Sequence, residues 1–185
     1  RDVRRLIFTI MLKKIITVFL ILIPINSFAL IEVDITRGNL DPLPVAVSPL
    51  SIDEKSRKSF QKALKIENIG EEISIIVENN LSTSGLFNPL SKEAFLQAPD
   101  IANLKPRFED WNLIKAQALI TGKVNYVDEK LRVEFRLWDV LAAKEMMALA
   151  FTTVPNNWRR VGHIISDKVY ERLTGEKGYF DTRII

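Results

Sequence analysis

The sequence predicts one α/β domain of the α+β type, a mixed sheet of about five strands carrying two principal helices. Three observations predict it. Residues 118–154 read as a three-stranded antiparallel meander, and amphipathic helical stretches start at Ile69 and Trp158. The chain has 185 residues, 47% of them hydrophobic and 26% charged, which suits one domain with a real core better than two.

The elements follow in chain order. Ile31, Val33 and Ile35 alternate with Glu32, Asp34 and Thr36, the pattern of a strand with one buried face. Gly38-Asn39 and Asp41-Pro42 mark a turn, and Pro44–Val47 reads as a second short strand ended by Pro49. Residues 51–68 mix Lys and Glu with few apolar residues and read as a surface connection with at most a helical turn. Ile69, Ile73, Ile76, Val77 and Leu81 recur at helical spacing, with Gly85 as the stop. Pro89 blocks any continuation, and short helical pieces are expected around 91–97 and from Phe108 to Trp111.

Ala118–Val127 is then the clearest strand in the chain, with Asp128–Lys130 as its turn. Leu131, Val133, Phe135 and Leu137 alternate with Arg132, Glu134 and Arg136. A turn at Ala142–Lys144 leads into a third strand over 145–154. In the last helix Trp158, Val161, Ile165, Val169 and Leu173 lie along one face. An Asn before Trp158 is expected to cap it, and Thr174-Gly175 to end it.

Charge and composition narrow the function. Of 26 Lys and Arg and 23 Asp and Glu, five bases and one acid fall in residues 1–29. The remainder is balanced to within one charge, which gives no support to nucleic-acid binding by the domain. There is no cysteine, so disulfides, thiolate metal sites and a cysteine nucleophile are excluded.

Met11-Leu12-Lys13-Lys14 precedes an uncharged apolar run from Ile15 to Ile25, and Ser27-Phe28-Ala29 follows. This is the order of a secretory signal peptide, cleaved between Ala29 and Leu30. The run is short for the ~30 Å hydrocarbon core of a bilayer. The expected organisation is upstream translation over 1–10, signal peptide over 11–29, α/β domain over 30–175, and a terminal linker over 176–185. An uncleaved leader, tethering a structural domain to the membrane, is the competing reading.

Other residues could carry chemistry. His163 and Asp167 stand four apart on the last helix, as a metal pair would, but His163 is the only histidine. A hydrogen-bonded His is the preferred reading. His163, Ser166 and Asp167 sit within one and a half turns, where a hydrolase triad cannot be held. Gly175-Glu176-Lys177-Gly178 lacks phosphate-loop spacing and reads as a helix stop and hinge. Arg132 and Arg136 beside Phe135 and Trp138 read as a solvated face over a core rather than a stacking platform. No enzyme, cofactor or metal is assigned.

Four segments resemble the TolB family. The longest runs from Trp158 through Gly162-His163, Ser166-Asp167 and Thr174-Gly175-Glu176-Lys177-Gly178-Tyr179-Phe180 to Thr182-Arg183-Ile184. Glu32–Gly38 with Pro42–Val47, Ser84–Leu90, and Trp111–Gly122 agree with it.

The resemblance implies a periplasmic component of the Gram-negative Tol–Pal system, supporting outer-membrane integrity and cell division. It meets the membrane only through partners. It implies that Leu30, Ile31, Glu32, Val33, Asp34, Ile35, Thr36, Arg37 and Gly38 bind TolA. In the family a β-propeller that binds Pal follows the α/β domain. Phe180–Ile184 resembles its first strand and Gly178, Tyr179 and Phe180 the junction. No blade repeat is present, so Pal is not assigned to this chain alone. A non-functional piece of a split gene is the other reading.

Overall fold

The computed structural model describes residues 41–182. The leader, the cleavage site at Ala29 and Leu30, the strand expected over Ile31–Ile35 and the whole TolA-binding segment lie outside them.

Six strands form one mixed sheet: β1 (Leu43–Val47), β2 (Ser51–Ile52), β3 (Phe87–Pro89), β4 (Ala118–Val127), β5 (Lys130–Asp139) and β6 (Lys144–Thr153). Their spatial order is β3-β1-β4-β5-β6, with β2 also on β4. β1 runs parallel to both β3 and β4, while β4, β5 and β6 form the expected antiparallel meander. Pro49 interrupts the first strand as expected, yet the chain resumes beside the same neighbour. Ser51 and Ile52 pair with Lys123 and Val124.

Among the described residues five α-helices accompany the sheet: α1 (Glu54–Leu64), α2 (Ile69–Thr83), α3 (Pro99–Leu104), α4 (Phe108–Leu113) and α5 (Trp158–Thr174). Helix α1 corrects the reading of 51–68 as a surface connection. Its sequence is mostly charged, but Ser56, Phe60 and Leu64 recur every fourth residue, and Phe60 is fully buried. Asp53 caps it by accepting hydrogen bonds from the Ser56 N–H at 2.8 Å and the Ser56 hydroxyl at 2.7 Å. The Ser56 hydroxyl also accepts from the Tyr126 N–H, which fixes α1 to the end of β4. The stripe is hidden by composition, because a single large apolar side chain is buried in a helix that is otherwise mostly charged.

Helix α2 buries Ile69, Ile73, Val77 and Leu81, the expected stripe, and Gly85 follows it at φ 74°. Helix α5 buries Trp158, Val161, Ile165, Val169 and Leu173 as expected and stops at Gly175, φ 75°. Its Asn cap is corrected. Asn157 makes no side-chain capping bond: it closes the 3-10 turn Pro155–Asn157 that runs into the helix, and its amide donates to the Thr153 hydroxyl.

The sequence pattern predicts neither strand β3 nor helix α3. Three residues containing Pro89 are too few for an alternating pattern, and α3 buries only Ala102 and Asn103. Around 91–97 the helical piece is a 3-10 turn at Lys92–Ala94.

The sheet faces divide the core. Val45, Val47, Ile120, Val124, Val133, Phe135 and Leu137 meet α1, α2 and α5. Ala46 and Leu119 point the other way, to Ala102, Trp111, Ala116 and Val140 under α3 and α4. Helices α2 and α5 cross closely because Gly162 has no side chain. A Cβ there would stand 2.8 Å from Ile76 Cγ2.

Candidate interaction surface

The residues that follow α5 come back along it. Asp167 and Arg160 are seven residues apart, two turns of helix, and so share one face. One carboxylate oxygen of Asp167 accepts the Phe180 N–H at 2.7 Å, and the other accepts the Asp181 N–H at 3.1 Å. Arg160 Nε and Nη2 hold the Asp181 carboxylate at 3.1 Å, a two-pronged pairing. Gly178 passes so close that a Cβ there would overlap Asp167 Cα. Gly175 is thus the expected helix stop, but the hinge reading of 175–178 is corrected. The residues after the stop form a strap pinned to the helix.

The strap completes an aromatic cluster. Tyr170 makes edge contacts with Tyr179 at 5.5 Å, Phe180 at 5.9 Å and Phe87 at 6.1 Å. Burial pushes the Tyr170 hydroxyl above its ordinary pKa. Tyr179 remains half exposed, at 49%. The residues expected at the junction, Gly178, Tyr179 and Phe180, therefore stand together as a partly apolar surface. Arg160, Tyr170 and Asp181 belong to it and were not singled out from sequence. A helical Arg and Asp two turns apart, followed by a Gly-x-x-Asp tail, is the signal that could have found them.

His163 faces α2. The Asn80 amide nitrogen lies 2.9 Å from His163 Nδ1 and donates to the Ser166 hydroxyl at 2.9 Å. Ser166 in turn donates to the Gly162 carbonyl. His163 and Ser166 are thus both engaged by Asn80, and Asp167 holds the strap. The three residue types do not converge on one another. Among the described residues no group of three or more His, Cys, Asp or Glu is placed to hold a metal ion.

The arginines of β5 are paired with acids. Arg132 meets Glu134 at 3.0 Å and Arg136 meets Glu145 at 3.3 Å. Phe135 is buried on the opposite face, stacked on Phe151, so it offers no platform to a base. Trp138 donates its indole N–H to the Thr121 hydroxyl. Trp111 and Trp158 are buried core residues.

A family model described as the TolB amino-terminal domain matches residues 31–146. The chain belongs to the TolB amino-terminal domain family. It is 80% identical over 175 residues to the Tol-Pal system protein TolB of Pelagibacter ubique strain HTCC1062. That match covers 95% of this chain and 39% of the relative's length. The crystal structure of TolB from Acinetobacter baumannii superimposes with a TM-score of 0.61 at 22% identity, over 82% of this chain and 33% of that one. The α+β fold expected from the resemblance is the TolB amino-terminal fold observed.

Proposed function

We propose that this chain is a periplasmic, non-enzymatic interaction component of a Tol–Pal envelope system, with the segment Leu30–Gly38 binding TolA. The observation that carries the reading is the 80% identity, over nearly the whole chain, to a relative named as a Tol-Pal system protein. The chain spans 39% of that relative's length, so the reading covers this module and assigns Pal to no residue of it.

Chemistry supports the assignment of the segment. Ile31, Val33 and Ile35 alternate with Glu32 and Asp34 just before β1. Such a segment can add to the edge of a partner's sheet. Its backbone supplies the ladder and its alternate apolar side chains the specificity. Cleavage after Ala29 would make Leu30 the free terminus and clear the segment of the leader. The junction at Gly178, Tyr179 and Phe180 would then be the surface on which further polypeptide packs.

Deleting Leu30–Thr36 and measuring affinity for purified TolA tests the central claim. A rise of at least tenfold in Kd is expected, and unchanged affinity overturns the claim. N-terminal sequencing of the exported protein tests the compartment, with Leu30 as the expected first residue.

A further inference from the structure

Strand β6 ends the sheet, and among the described residues no strand pairs with its outer side. Exposed edges of this kind are usually blocked by Lys, Pro, inward charges or a bulge. From Met147 to Thr153 β6 has no charge and no proline. The charges stop at Glu145 and resume at Arg159, and the next proline is Pro155. The one irregularity in its pairing lies beside Leu137 and Trp138, at the start of the strand, and the register runs evenly from Met147 to Thr153.

The side chains on this edge are unfinished core. Met147, Leu149 and Phe151 stand opposite Leu137, Phe135 and Val133 of β5. Those three neighbours are buried to within 1% exposure, whereas Leu149 is 36% exposed. Ala148 and Ala150 are exposed on the other face.

The edge is also complementary to itself. In an antiparallel pair, residues directly opposite share a face, and a two-fold pair must match each residue with its own symmetry mate. An axis through Leu149 sets Leu149 against Leu149 of a second copy. It sets Met147 against Phe151, and Ala148 against Ala150. The larger side chains meet on the half-buried face and the small ones on the other. No like charges are brought opposite each other.

We infer that β6 is an interaction surface for a second copy of this chain, joined edge to edge through Met147–Phe151 with its two-fold axis at Leu149. The seam is small beside the ~1,600 Å² of a standard interface, so the expected dimer is weak, with Kd about micromolar or higher. The occupant is not a nucleic acid, since Met147–Phe151 carries no basic charge to meet phosphates.

The chain has no cysteine, which makes single-cysteine cross-linking a clean test. The full chain carrying Leu149→Cys is expressed in a Gram-negative host, extracted and oxidised with copper phenanthroline. Directly opposed Cα atoms lie about 4.5–5.5 Å apart, within disulfide reach. A disulfide-linked dimer is expected for Leu149→Cys and none for Thr153→Cys. Met147→Cys and Phe151→Cys should link only when two differently tagged chains are mixed. As a second readout, Ala150→Lys should lower the dimer fraction in sedimentation at least tenfold. Monomer at every position overturns the inference, as does linking of equal yield at 149 and 153. Linking of Leu149→Cys to a cysteine placed at Val33, or to an unrelated protein, also overturns it by assigning the edge to a different occupant.

Discussion

Replacing Asp167 by Ala should free the strap without unfolding the domain. Its carboxylate holds two backbone N–H groups, at 2.7 Å from Phe180 and 3.1 Å from Asp181. A hydrogen bond to a charged group contributes about 1.5–3 kcal/mol when desolvated. Both bonds here are only partly buried, and freed amides can turn to water. The two together are therefore worth about 2 kcal/mol, near the low end. At 1.36 kcal/mol per decade, that is roughly a 30-fold increase in the undocked population.

Hydrogen exchange reads this directly. The amides of Phe180 and Asp181 should exchange about 30-fold faster in Asp167→Ala, and tryptic cleavage after the exposed Lys177 should rise in proportion. Amides in the middle of α5, around Val169, should keep their protection, because the buried stripe of that helix is untouched. Asp167→Asn should fall between the two. It keeps one acceptor oxygen but turns an NH₂ group towards the second amide. If both strap amides exchange at the same rate in wild type and Asp167→Ala, the strap is held by its aromatic contacts and the carboxylate argument is wrong.

Three further outcomes are expected. Phe60→Ala should destabilise the domain by about 3–5 kcal/mol in urea unfolding, because Phe60 is fully buried against Tyr126 at 5.0 Å. A change below about 1 kcal/mol would show α1 to be dispensable. Gly162→Ala gains about 1 kcal/mol of helix propensity, yet its methyl would press on Ile76 Cγ2, so a net loss of about 1–2 kcal/mol is expected. Ile76→Ala in the same chain should make the two changes non-additive, a coupling that a double-mutant cycle measures. Asp53 is held below its ordinary pKa of 3.8 by hydrogen bonds from the Ser56 N–H and hydroxyl. A depressed carboxyl contributes stability at neutral pH and loses it as pH falls through the lowered value. Wild type should therefore lose helical circular dichroism below pH 3.8 more steeply than Asp53→Asn. Superimposable profiles would refute the capping role.

What was legible in the sequence follows from how much apolar surface each element buries. The meander and helices α2 and α5 each bury four or more side chains at a fixed period, and that period marks their ends to within a residue or two. Helix α1 buries one large side chain among charges and β3 one phenylalanine, too few apolar residues for either to stand out. Their positions are set by partners distant in sequence, Tyr126 for Ser56 and Leu43 for Phe87. The strap is illegible for a related reason. Gly175 and Gly178 look alike in sequence, but Gly175 stands at positive φ with nothing near its missing side chain, while Gly178 is pressed against Asp167. One glycine turns the chain and the other lets it lie down. Only the distant carboxylate distinguishes them. The sequence reading expects a hydrogen-bonded His163, but its partner, Asn80, is 83 positions away and cannot be named from local pattern.

The position of β1 bears on the proposed partner. Val45 and Ala46 are fully buried between β3 and β4, and ladder bonds flank the strand on both sides. The Leu43 N–H donates to the Leu86 carbonyl, and the Pro44 carbonyl accepts from the Gln117 N–H. In the proposed reading, a partner on Leu30–Gly38 is coupled to this strand by a few residues only. A load along the strand axis would shear both ladders at once, whereas an edge strand would be peeled bond by bond. A parallel central strand therefore suits a segment that is bound from outside. The resistance comes from β1 being enclosed, and it would be lost if the segment led instead into β3 or β6, each of which has one free side among the described residues.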